Sequence, residues 1–225
     1  MGAVYFINGF LDAGKTTFIK DMISRETFKI PGKTLLFLCE QGEEEYDKEL
    51  LAHTNTFVEV VENEEDFNGE YLSALEEKHK PERIIVEFNG MWDRKNLLFP
   101  RQWEDILEIA IFDSTTFKLF ADNLRSVLAE QVRRAEIIVF YRADEVRDKL
   151  ASYARNIKAI NSGAALLFHG AKGDITLDSN ERLPYDINKE KLELTDVDFA
   201  VMCMDSMERV DAYKGKKVHF TARAY

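Results

Sequence analysis

Ala3-Val4-Tyr5-Phe6-Ile7-Asn8-Gly9-Phe10-Leu11-Asp12-Ala13-Gly14-Lys15-Thr16-Thr17 is the stretch on which the reading of this chain turns. Gly9 to Thr16 fits the phosphate-loop pattern G-x-x-x-x-G-K-[ST], and the pattern sits in the setting it requires. An apolar, strand-like run precedes it. Behind it, Phe18, Ile19, Met22 and Ile23 fall on one face of a helix. Two glycines let backbone N–H groups turn inward around an anion, and the helix that follows aims its positive end at the same place. Lys15 then reaches the outer phosphates and the Thr16 hydroxyl holds a magnesium ion. Gly9, Asp12, Ala13, Gly14, Lys15, Thr16 and Thr17 are therefore the expected nucleotide-binding residues of the loop.

Outward from the loop, β-rich apolar runs alternate with amphipathic stretches, the pattern of βαβ units feeding a parallel sheet. Thr34–Leu38, Thr56–Val61, Arg83–Phe88, Ile106–Phe112, Glu136–Tyr141 and Ala164–His169 read as strands. Short helices are expected through Leu50 and around Leu72, and longer ones over Thr116–Arg134 and from Leu150 to Ile160. Met91 to Trp103 reads as a segment crossing the surface. The fold class is α/β: a P-loop NTPase with a mostly parallel sheet, helices on both faces, and a small β-containing C-terminal tail. The division is residues 1–170 as the P-loop domain, 171–195 as a linker rich in Gly, Asp and Asn, and 196–225 as a short β-rich segment. The last contains the β-like runs Phe199–Met204 and Lys217–Ala222; a strand pair alone is marginal, so truncation of a C-terminal module is the expectation.

Composition narrows the function. Thirty Lys and Arg against 41 Asp and Glu give a net charge of −11, which disfavours nucleic acid or an anionic membrane as a general partner. Two cysteines, Cys39 and Cys203, form neither a disulfide framework nor a C-x-x-C. No apolar run reaches the roughly 18 residues of a membrane helix, and the start leaves no room for a signal peptide, so a cytoplasmic protein is expected. The four histidines are scattered, without metal-ligand spacing.

Ligands in open α/β sheets gather at the carboxyl ends of strands. Glu87 is placed there, as a metal-linked carboxylate or a plain strand-end charge. Asp113 is either a site residue or the N-cap of the next helix, and Glu40 either meets magnesium or the attacking water, or is a loop charge.

Taken in order over residues 3–168, these strand ends resemble the CobW/HypB/UreG family of P-loop GTPases, in its CobW-like branch. Glu40-Gln41-Gly42-Glu43 with Asp47 is similar to the family's acidic switch-like segment, with Cys39 where the family usually has Asn. Glu87-Phe88-Asn89-Gly90 matches its E-x-x-G, and Phe112-Asp113-Ser114 its strand-end Asp. The resemblance implies GTP/GDP and Mg²⁺ as cofactors, Lys15, Glu40 and Glu87 as catalytic residues, and Thr16, Glu87 and Asp113 around the metal. It also implies slow GTP hydrolysis used as a switch, with a metalloprotein or transporter client and a homodimer among the partners. Two departures stand out. Tyr141-Arg142-Ala143-Asp144 occupies the place of the guanine motif N-K-x-D, so Asp144 would read the base and the planar Arg142 guanidinium would stack on it. The family's C-x-C-C is absent, since Glu62 to Asn68 holds carboxylates and no thiolate. The alternatives are a nucleotide-binding module with little hydrolysis and a metal carrier using non-cysteine ligands.

Overall fold

The computed structural model describes residues 2–221 except 41, 43, 95, 96 and 179, with the backbone alone at 196 and 197. Its first unit is β1 (Ala3–Asn8), the phosphate loop and α1 (Lys15–Ser24). There follow β2 (Thr34–Leu38), α2 (Lys48–His53), β3 (Thr56–Val60), α3 (Gly69–His79) and β4 (Arg83–Glu87). After a long connection come β5 (Ile106–Asp113), α4 (Ser114–Asn123), α5 (Arg125–Arg133) and β6 (Ile137–Tyr141). A 3-10 stretch (Ala143–Lys149), α6 (Leu150–Ile160), β7 (Ala165–Gly170) and β8 (Gly173–Ile175) complete the main sheet. The strands lie in the order β3-β2-β4-β1-β5-β6-β7-β8. All neighbours are parallel except β8, which is antiparallel to β7.

A parallel sheet is covered on both faces, which is why its strands read as unbroken apolar runs rather than as alternation. Successive residues of β1 go to opposite sides: Ile7 packs with Ile19 and Ile23 of α1, whereas Phe6 packs with Phe37, Val86 and Phe88. Across β5 and β6 the second face continues through Phe112 and Phe140, whose rings lie 5.6 Å apart, with Phe117 and Tyr153 from the helices above them. This places β1 at the centre, with its carboxyl end between those of β4 and β5.

Three expectations need correction. The helix over Thr116–Arg134 is two helices, because Leu124 leaves the helical region (φ −125°, ψ 42°). Met91 to Trp103 is not merely surface: Trp92, Leu97 and Phe99 pack on the core and Trp103 is buried in it, since the run carries too much aromatic area to leave in water. Phe199–Met204 lies in a helix, α7 (Asp196–Glu208), and not a strand. Thr195 caps that helix, accepting from the Asp198 amide while the Asp198 carboxylate accepts from the Thr195 amide. This T-x-x-D capping box is a sequence signal that outweighs the β propensity of the residues behind it. Beyond α7 come α8 (Val210–Tyr213) and β10 (Lys217–His219), which pairs in parallel with β9 (Lys191–Glu193). Leu183, Tyr185, Ile187, Leu192 and Leu194 form a second, smaller core with Phe199, Met202 and Tyr213. Ala222 to Tyr225 lie outside the described residues. Among those described, no helix is long and apolar enough to cross a membrane.

Thr195→Ala removes the capping box. It is expected to cost about 1 kcal/mol locally and to lower hydrogen-exchange protection about fivefold in the first turn of α7. Unchanged exchange there would contradict the cap's role.

Candidate nucleotide site

The phosphate loop closes where β1 ends. Gly9 lies so near β5 that a Cβ would meet the Ile111 carbonyl oxygen at 2.2 Å, and Gly14 holds φ +96°, which favours a residue without a Cβ. Gly14 is also the N-cap of α1, so the helix's first N–H groups face the loop. Lys15, only 4% exposed, folds back over it. Its Nζ donates to the carbonyl oxygens of Gly9 (2.9 Å) and Phe10 (2.8 Å) and to Glu40 Oε2 (2.5 Å). These three bonds use all three of its protons. An arriving phosphate must therefore displace at least one acceptor, and Glu40 is the one on a side chain.

Glu87 ends β4, in register with Ile7 of β1 and Leu38 of β2. Its Oε1 accepts the Thr16 hydroxyl at 2.6 Å and its Oε2 accepts the Tyr46 hydroxyl. Burial pushes the Glu87 carboxyl above the usual carboxylate range, against the opposing pull of the Thr16 and Tyr46 hydrogen bonds. The same burial keeps Tyr46 protonated, so it stays a donor. Cys39, beside Glu87, is buried and its thiol is pushed well up, which leaves it unreactive. The acidic segment thus leans on the loop at several points: Glu40 on Lys15, Tyr46 on Glu87, and Glu44 on Lys20 of α1. Gln41 and Glu43 lie outside the described residues.

The base-reading turn follows β6. Tyr141 packs its ring against Gly14, where an added Cβ would meet Cδ2 at 3.2 Å. Arg142 takes a left-handed backbone (φ 51°) and pairs with Asp113. Asp144 Oδ1 accepts from the Ala171 amide at 3.2 Å, so the turn after β7 orients the carboxylate.

The structure thus brings these residues into two adjacent hydrogen-bonded sets, Lys15 with Glu40 and Thr16 with Glu87 and Tyr46, close enough that the Lys15 and Glu40 charges act on Glu87. Asp113 stands apart from both: it caps α4 through the Thr115 amide (2.8 Å) and spends its other oxygen on Arg142. Asp12 and Thr17 are exposed and Ala13 is buried at the loop's turn. Sequence reasoning missed Tyr46 and the packing role of Tyr141. A lone aromatic inside an acidic run was the only signal for the first, and for the second there was none, because it depends on a contact between distant strands. Among the described residues no group of three or more His, Cys, Asp or Glu could hold a metal ion.

A family model for the CobW/HypB/UreG nucleotide-binding domain matches residues 3–168. Among solved structures, the hydrogenase maturation factor HypB from Archaeoglobus fulgidus aligns at 16% identity with a TM-score of 0.53, over 76% of this chain and 82% of that one. The Zn(II)-bound YjiA GTPase from E. coli aligns at 22% identity and TM-score 0.51, over 78% of this chain and 59% of its own. HypB from Helicobacter pylori in complex with nickel aligns at 11% identity and TM-score 0.51, over the whole of this chain and 92% of that one. Among curated proteins, none matches the chain. At these identities the solved structures speak for the fold: a parallel-sheet P-loop architecture like that of HypB and YjiA.

Proposed function

The chain belongs to the CobW/HypB/UreG family through its nucleotide-binding domain, and from that premise we propose that it is a slow, Mg²⁺-dependent GTPase that works as a switch. The observation that carries this is the convergence of Lys15, Thr16, Glu40 and Glu87 at the carboxyl ends of β1, β2 and β4. Loop amides and the Lys15 ammonium bind the β- and γ-phosphates. The Thr16 hydroxyl and the Glu87 carboxylate, 2.6 Å apart, are hard oxygen donors that suit magnesium. When bound, that ion neutralises charge developing on the phosphoryl oxygens.

Glu40 gives up Lys15 as phosphate arrives, and its carboxylate is then free to orient the attacking water. Because Glu40 and Tyr46 both contact groups that phosphate and metal would take, occupancy is transmitted to these two residues. That transmission is the switch. Asp144 accepts from the guanine edge, held in place by the Ala171 amide, and the Arg142 guanidinium, anchored by Asp113, offers a flat surface to the ring. Asp113 serves this turn and not the metal. Among the described residues no arginine finger can be assigned, so unassisted turnover is slow. A client for such a switch, a metalloprotein or transporter, is inferred from kinship alone.

The test is phosphate release from GTP in Mg²⁺. Release above the protein-free control, dependent on Mg²⁺, is expected. Tight GDP binding with no release would overturn the hydrolytic part and favour a nucleotide-binding module without turnover.

A further inference from the structure

Behind the phosphate loop, on the sheet face opposite α1, lies a cavity of about 210 Å³. Phe88 and Trp92 line it from the connection after β4, Val127 and Gln131 from α5, and Asn8 from the last position of β1. Asn8 is 1% exposed, yet neither its Oδ1 nor its Nδ2 has a partner in the protein. Gln131 is 4% exposed; its Nε2 donates to the Gly90 carbonyl oxygen at 3.0 Å, while its Oε1 has no partner. Leaving such groups buried and unpaired costs on the order of 1–3 kcal/mol each, so three of them around one cavity point to something that satisfies them. Of the charges around it, Glu130 pairs with Arg133 and Arg94 Nη2 with Glu108, while Arg94 Nη1, also buried, has no hydrogen-bond partner and adds a further donor.

The chemistry of the occupant follows from the lining. A carboxamide with both ends open offers a donor beside an acceptor in one plane, the arrangement that pairs bidentately with the edge of a nucleobase. Gln131 Oε1 adds a second acceptor. Phe88 and Trp92, edge-to-face with ring centroids 5.7 Å apart, make that side of the cavity aromatic and apolar. The volume exceeds the roughly 150 Å³ of an engineered cavity that takes up benzene.

We propose that this cavity is a second small-molecule site, binding a planar heterocycle of nucleobase type by its edge on Asn8 and Gln131. It is distinct from the base-reading turn at Asp144, being separated from it by the sheet position of β5 between β1 and β6.

The test titrates the full chain with adenine and with cytosine, by calorimetry and ligand-observed NMR, with and without saturating GDP. Saturable binding of one or both in the presence of GDP is expected. Asn8→Leu and Gln131→Leu should weaken it at least about tenfold, and Val127→Trp, at a half-buried position of α5, should block it by filling the space. Each variant's GDP affinity, measured separately, reports that it is folded and keeps the outcome independent of the GTPase reading. The proposal is overturned if neither base saturates, if the variants bind as the parent does, or if GDP abolishes binding. A crystal structure grown with the base and showing only water on the Asn8 carboxamide would overturn it equally.

Discussion

Lys15→Ala is expected to weaken GTP and GDP binding and to lower phosphate release at least about 100-fold, the scale seen when a preorganised donor to a developing anion is removed. The reason is geometric as well as electrostatic. Lys15 is the buried cation of the loop, and its three protons already point at acceptors around the place a phosphate would fill. The substitution also strands Glu40, whose side chain is 10% exposed, and removing one partner of a buried pair costs about 3–5 kcal/mol. A loss of binding through unfolding must therefore be separated from loss of the contact. Lys15→Met with Glu40→Gln removes both charges together and keeps the volume. It should retain the parent's urea midpoint more closely while losing binding to the same extent. Restored binding in that pair would sink the role given to Lys15.

Glu87→Gln separates chemistry from architecture more cleanly. Glutamine keeps the shape and an oxygen for one of the two hydroxyls, Thr16 or Tyr46, that Glu87 now accepts. It also removes a buried charge that burial already disfavours, so stability should hold or rise. Mg²⁺-dependent phosphate release, in contrast, should fall about 100-fold or more, because the carboxylate is the charged donor proposed for the ion. Unchanged release with unchanged Mg²⁺ dependence would remove Glu87 from the metal site.

These two residues also show how far the chain can be read without coordinates. Lys15 was legible because the phosphate loop is a local motif whose spacing states its own geometry. Glu87 was legible from its place at a strand end, since a parallel sheet puts such ends together. What the sequence left open was which partner each long-range group would choose. Asp113 had two readings, and the choice rests on Arg142, a residue 29 positions on whose left-handed backbone brings its guanidinium back to β5. Tyr46 and Asn8 drew no attention for the same reason: one gains its meaning from Glu87, the other from a cavity between β1 and α5. In the tail the error was local. Phe199 to Met204 has β-prone composition, but the Thr195–Asp198 box sits just ahead of it and starts a helix.

The base is the point on which the account stands most exposed, because Tyr141 and Arg142 replace two of the three residues of the motif N-K-x-D. Calorimetric titration of the intact chain with GTP, GDP and ATP in Mg²⁺ tests it directly. GTP and GDP are predicted to bind with ATP at least about tenfold weaker, the discrimination expected of a carboxylate that pairs with guanine and faces a lone pair on adenine. ATP binding as tightly as GTP, or no nucleotide binding at all, would contradict it.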